Sequence, residues 1–134
     1  MRGTQMPIVA LYAGLLGLIF LYLSMRVIRN RRRAQIALGI AGDAALERAA
    51  RVQGNFAEYA PLILLLLWLV ETSAYPAWVV HGLGAALLAG RVLHAYGVSQ
   101  AREDFRFRVA GMMLTFATLG VSAGLLVVGR LAGG

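Results

Sequence analysis

The sequence predicts an all-α membrane protein, a bundle of four transmembrane helices, and two observations carry that expectation. Long uncharged apolar runs recur along the chain, and of its 134 residues 60% are hydrophobic and only 14% charged. That balance is too apolar for an ordinary soluble domain. The cations are all arginine, thirteen of them against six acids, and most sit in two clusters beside apolar runs. Such clusters are expected from membrane insertion, so the net charge of +7 reflects topology and gives no reason to expect a nucleic-acid partner.

The first span is read from about Pro7 to Ile28, stopped by Arg26, Arg29 and Arg31 to Arg33. Its apolar segment from Pro7 to Met25 is long enough to cross a bilayer and too long for a signal core, and no cleavage pattern follows. A polar connector, Ala34 to Gly42, comes next, with Gly39 and Gly42 as turn residues and Asp43 as N-cap of the second helix. That helix is read from Ala44 to Thr72. At about 1.5 Å per residue it is some 40 Å long, exceeding a hydrocarbon core of roughly 30 Å. Its first turns, with Arg51, therefore lie near the interface, and Glu58 lies about 10 Å deeper. Pro61 cannot donate to the carbonyl of Ala57 and is expected to kink the helix beside Glu58 and Tyr59. Tyr75-Pro76 marks a turn, the third span runs from about Ala77 to Val98, and the fourth from about Arg108 to Val128. Residues 1–134 read as a single domain without repeats.

Arginine placement predicts orientation. The loop after the first span carries Arg26 to Arg33, Arg48 and Arg51, and the loop after the third carries Arg102, Arg106 and Arg108. The connection between the second and third spans carries none. By the positive-inside rule both Arg-rich loops are cytoplasmic and both termini lie outside.

The residues able to carry chemistry gather at that surface. At about 100° per residue, Arg51, Asn55, Glu58 and Tyr59 share one helix face about 100° wide. Charges at membrane depth cost roughly 2.5–3.5 kcal/mol each, so such a face reads as a preformed polar site. Arg91 and His94, at i and i+3 near the end of the third span, share a second face; Arg106 and Arg108 open the fourth. A set of Arg51, Arg91 and Arg108 around Glu58 makes a net-positive pocket. Guanidinium groups take carboxylates and Glu58 would take an ammonium, so the natural guest is a small zwitterion with extra negative charge. A tripeptide extends roughly 10 Å, comparable with the axial distance from Arg51 to Glu58. There is no cysteine, so any thiol must come with a substrate. His81 and His94 lack the clustered partners of a zinc site, and no metal is expected.

The run Arg51-x-x-x-Asn55-x-x-Glu58-Tyr59-x-Pro61 resembles the second-helix motif of the MAPEG family, the membrane-associated proteins in eicosanoid and glutathione metabolism. Ile36-Ala37-Leu38-Gly39, Gly42-Asp43 and Gly90-Arg91-Val92-Leu93-His94-Ala95 resemble its bacterial members, and the similarity runs from Arg31 to about Thr115. The resemblance implies a homotrimer in the bacterial inner membrane, with glutathione as co-substrate bound between subunits near the cytoplasmic surface. It implies that Arg51, Asn55, Glu58, Tyr59, Arg91 and His94 hold glutathione, with Arg31 or Arg32 from the first helix and Gln53 as further contacts. It also implies that an arginine opening the fourth helix activates the thiol; Arg108 is the better match and Arg106 the weaker. The electrophile or hydroperoxide would be a lipophilic molecule arriving from the bilayer. Two positions depart from the pattern: Val98 stands where some members have tyrosine, and Gln53 where many bacterial relatives have histidine.

Plainer readings stand beside these. Arg26 to Arg33 reads as a topology anchor, Glu71 as an outer-interface residue and His81 as incidental. Gly120 and Gly124, and a second stripe of Gly111, Thr115, Thr118 and Ser122, read as helix-packing surfaces. Two other functions stay open: a non-catalytic lipid-binding or scaffold member of the fold, suggested by Val98, and a small proton-coupled exporter built on Glu58.

Overall fold

A computed structural model describes residues 5–133. Among these the chain forms four helices: α1 (Ile8–Ala34), α2 (Ala44–Thr72), α3 (Ala77–Ser99) and α4 (Phe105–Leu131). Each is long and apolar enough to cross a membrane, and the protein is a four-helix membrane bundle. The helices outlast the apolar runs. Arginine is a good helix former and a cation suits a helix C-terminus, so α1 continues past Ile28 through Arg31, Arg32 and Arg33. Asp104 accepts from the Arg106 N–H, which starts α4 at Phe105, ahead of Arg108. α2 stays helical through Pro61.

α1 ends in a left-handed residue, Gln35, whose N–H returns to the Arg31 carbonyl. The connector then turns through Gly39 and Gly42 at positive φ, 68° and 79°, where glycine avoids the Cβ clash. Asp43 caps α2 by accepting from the Leu46 N–H at 2.8 Å and is paired with Arg33. The Leu46 N–H first, then Arg33, lower the Asp43 carboxyl pKa from its ordinary 3.8. A lowered carboxyl pKa stabilises the fold above its unfolded value, so this cap holds at neutral pH and is lost only as acid protonates it.

α2 and α3 form the diagonal of the bundle; α1 and α4 lie on opposite sides of it and do not meet. The core between them is aliphatic and includes Leu16, Leu23, Ile63, Leu67, Val80 and Leu87. Leu18, Leu62, Trp68, Phe116 and Val127 are exposed, as suits side chains facing lipid. The most intimate seam joins α3 to α4. A Cβ on Gly111 would meet the His94 nitrogen at 2.5 Å and the Gly90 carbonyl oxygen at 2.6 Å, so the two backbones touch. Thr115, Thr118 and Ser122 continue that buried line, each returning its hydroxyl to the carbonyl four residues earlier. Close backbone approach through small residues is how helices associate without a hydrophobic gradient. The Gly120–Gly124 stripe serves no such contact among the described residues, since a Cβ at either would meet nothing within 4 Å.

The far end has its own polar closure. Pro7 offers no side-chain cap to α1, but Glu71 at the end of α2 accepts from the Ile8 and Val9 N–H groups at 2.6 and 3.0 Å. His81 is likewise engaged, its Nδ1 lying 2.8 Å from the Tyr12 hydroxyl. Both residues tie helices together at that end.

Candidate functional site

The polar face of α2 meets α3 and α4 at the Arg-rich end of the bundle, and Arg91 lies at its centre. Arg91 is 0% exposed. It donates from one terminal nitrogen to Asn55 Oδ1 at 2.6 Å and from the other to Thr115 Oγ1 at 3.4 Å. His94 Nδ1 lies 3.4 Å away, and the guanidinium carbon sits 5.5 Å from the centre of the Phe56 ring. Its Nε finds no acceptor among the described residues. A buried cation without a contacting carboxylate is costly, and here neutral dipoles and an aromatic face surround it, with the Glu58 carboxylate acting on it from a distance. This contact also fixes Asn55. With Oδ1 turned inward to Arg91, the amide nitrogen is left for a partner outside.

Around this buried group the other α2 residues behave differently. Arg51 and Glu58 are exposed and form no hydrogen bond or ion pair among the described residues. Tyr59 is half-buried and packs edge-to-face on Phe116 of α4, with ring centres 5.5 Å apart. The face thus presents a free guanidinium, an amide and a free carboxylate in sequence along one helix.

Arg51 also lines a cleft of about 290 Å³ with Arg48, Glu47, Val98, Glu103 and Arg108. Its organising group is Glu103, nearly buried, with one carboxylate oxygen 3.3 Å from Arg48 and the other 3.4 Å from Arg108. Arg48 also donates to the Val98 carbonyl at 3.0 Å. Arg108 therefore faces the same cleft as Arg51, whereas Arg106 turns outward to clamp Asp104 at 2.8 Å.

Two residues expected at the site lie on other contacts. Arg31 folds onto its own connector, donating to the Gly39 carbonyl at 2.8 Å. Gln53 points to α1, with its amide 3.2 Å from the Ser24 hydroxyl. Val98 is buried in the core. Tyr96 is exposed, away from the cleft, and packs on Phe107. Sequence reasoning missed Glu103, Phe56 and Thr115. Glu103 leaves one signal, an acid set among arginines in the third loop; Phe56 and Thr115 look like ordinary apolar and small packing residues until the helices are assembled.

Comparison with known proteins adds an independent line. The model of the MAPEG family matches residues 9–128. The Inner membrane protein YecN of Escherichia coli (strain K12) is 38% identical over 110 residues, covering 82% of this chain and 82% of that protein. The uncharacterized protein sll1147 of Synechocystis sp. is 33% identical over 132 residues, covering 98% of this chain and 90% of that protein.

Proposed function

This chain belongs to the MAPEG family, and from that premise we propose that it binds glutathione and uses it on lipophilic electrophiles or hydroperoxides in a bacterial inner membrane. The observation that carries this reading is the unpaired series on α2. Arg51 and Glu58 stand exposed with no hydrogen-bond or ion-pair partner among the described residues, while Arg91 holds Asn55 in a fixed orientation. An arginine suits a peptide carboxylate, a glutamate suits its ammonium, and a preset amide adds a directional contact. These complement a zwitterionic tripeptide along the helix axis. Two of the groups face outward from the subunit, which supports a site completed by a neighbouring copy in a homotrimer. Arg31 and Gln53 are engaged within their own chain and stand outside this series.

Thiol activation follows from charge. A free thiol has a pKa near 8.5, and a partly desolvated cation lowers it by favouring the thiolate. Arg108 is the candidate, since it lines the cleft with Arg51. Glu103 positions it through an ion pair while being shared with Arg48, so Arg108 keeps charge available for a thiolate. The thiolate sulfur then bonds to an electrophilic carbon entering from lipid as the leaving group departs with its electron pair. Alternatively it takes the terminal oxygen of a hydroperoxide to give the alcohol and a glutathione sulfenic acid, which a second glutathione converts to the disulfide and water. No protein nucleophile is needed. By the arginine bias of the two loops this end of the bundle would be cytoplasmic, where glutathione is supplied.

The test is glutathione binding to detergent-solubilised protein by calorimetry. Millimolar glutathione should stabilise the wild type and leave Arg51→Ala and Glu58→Ala unaffected. No stabilisation of the wild type would overturn the proposal. A second reading, a non-catalytic lipid-binding member, is favoured by one fact: the aliphatic Val98 lines the cleft of Arg51 and Arg108, so no tyrosine hydroxyl stands there to assist chemistry. It predicts no ultraviolet thiolate band on adding glutathione, whereas the enzyme reading predicts one that Arg108→Ala abolishes.

A further inference from the structure

On the opposite side of α3, the groove between α1 and α3 carries a second feature. α1 and α3 make the lightest of the helix contacts in the bundle, and the space left between them at the Arg-rich end is about 490 Å³. Ile19, Tyr22, Val92 and Tyr96 form its apolar walls, while Arg26, Ser99 and Gln100 close one end. A further cleft of about 380 Å³, lined partly by Asn30 and Arg48, begins where the first stops and shares Arg26 and Ser99 with it. Arg26 stands at the junction.

That arginine is set apart by partial burial at the junction of two clefts, whereas Arg29 and Arg32 of the same helix are exposed and Arg31 turns onto the Gly39 carbonyl. Arg33, Arg48, Arg106 and Arg108 each contact a carboxylate. Arg26 is half-buried, and its hydrogen-bond partner among the described residues is the neutral hydroxyl of Ser99 at 2.7 Å. It lies about two turns before the end of α1, roughly 12 Å along the axis from Ala34, where an apolar span gives way to the arginine cluster. A half-buried cation at this depth draws an anion, and membrane anions at a helix–water boundary are lipid phosphates. The adjoining apolar groove extends from Arg26 to Ile19, about 10 Å along α1, in the direction an acyl chain takes into the bilayer.

We propose that the α1–α3 groove is a binding site for an anionic phospholipid. Its phosphate pairs with Arg26 beside Ser99 and Gln100, and one acyl chain lies against Tyr22, Val92 and Tyr96. The tyrosines suit the interfacial level at which they would flank the glycerol region. This site is separate from the α2 face and does not depend on glutathione binding.

The experiment uses the full chain in a neutral detergent, titrated with phosphatidylglycerol or with phosphatidylcholine bearing the same chains. Native mass spectrometry and thermal unfolding are the readouts. Wild type should retain phosphatidylglycerol about fivefold better than phosphatidylcholine, the increment of one interfacial arginine. Arg26→Gln should lose the preference. Val92→Trp, which fills the groove and leaves Arg26 in place, should weaken both lipids, and this arm keeps the test valid if Arg26→Gln folds poorly. Equal retention of both lipids by wild type, or undiminished binding in Val92→Trp, overturns the proposal. Displacement of phosphatidylglycerol by equimolar inorganic phosphate would show a simple anion site and overturns the lipid assignment.

Discussion

Glu71 and Glu58 lie on the same helix, and only one of them is hydrogen-bonded within its own chain among the described residues. Both oxygens of Glu71 are taken by backbone N–H groups at the start of α1, which have no cap from Pro7. Glu58 has no hydrogen-bond or ion-pair partner among the described residues and remains exposed. The arginines divide in the same way, with Arg91 enclosed by Asn55, Thr115 and Phe56 and Arg51 exposed. A charged residue in a membrane helix is therefore not functional by its presence. It becomes a candidate when its own chain leaves part of its charge or hydrogen-bonding capacity unused, as at the exposed Arg51 and Glu58 and at Arg108, whose one carboxylate partner is shared with Arg48.

Substitutions can break this division between closed and open regions. The largest stability effect belongs to the α3–α4 seam. Gly111→Ala puts a methyl group against the His94 and Gly90 backbones, atoms that move only if the helices separate. Overpacking of this kind should cost about 3 kcal/mol, measured by chemical unfolding in detergent. Glu71→Ala should follow at about 2 kcal/mol, since it leaves the first N–H groups of α1 without an acceptor. Glutathione binding should be unchanged in that variant, and a loss of binding would break the comparison. Glu58→Gln should do the reverse, weakening glutathione about tenfold by titration calorimetry, equivalent to about 1.4 kcal/mol, with the unfolding midpoint unmoved. If Glu58→Gln destabilises the fold, Glu58 is structural after all. The smallest effect is expected for Gly120→Ala, which meets nothing within 4 Å. It should stabilise the helix by up to about 1 kcal/mol because alanine is the better helix former.

Much of the architecture was legible in advance. The apolar runs, Asp43 as a cap and the Gly39 and Gly42 turns all follow from local rules, and they reappear in the fold. The membrane spans and helix ends differ because hydrocarbon thickness limits the one and capping chemistry the other, as Arg31 to Arg33 at the end of α1 and Asp104 before α4 show. The small stripe of Gly111, Thr115, Thr118 and Ser122 could be read as a packing face, but Gly120 and Gly124 looked equally suited. Periodicity marks a face without saying which neighbour, if any, it will meet.

The candidate site divides along the same line. Sequence alone determined that Arg51, Asn55, Glu58 and Tyr59 share one face of a long apolar helix, since helical pitch fixes that geometry whatever the surroundings. Only the tertiary structure decided that Arg91 is enclosed and orients Asn55, that Glu103 is shared by Arg48 and Arg108, and that Arg106 turns away. These outcomes depend on contacts between helices distant in sequence, and hydrogen-bond partners across such a gap are set by packing distances that no local spacing encodes.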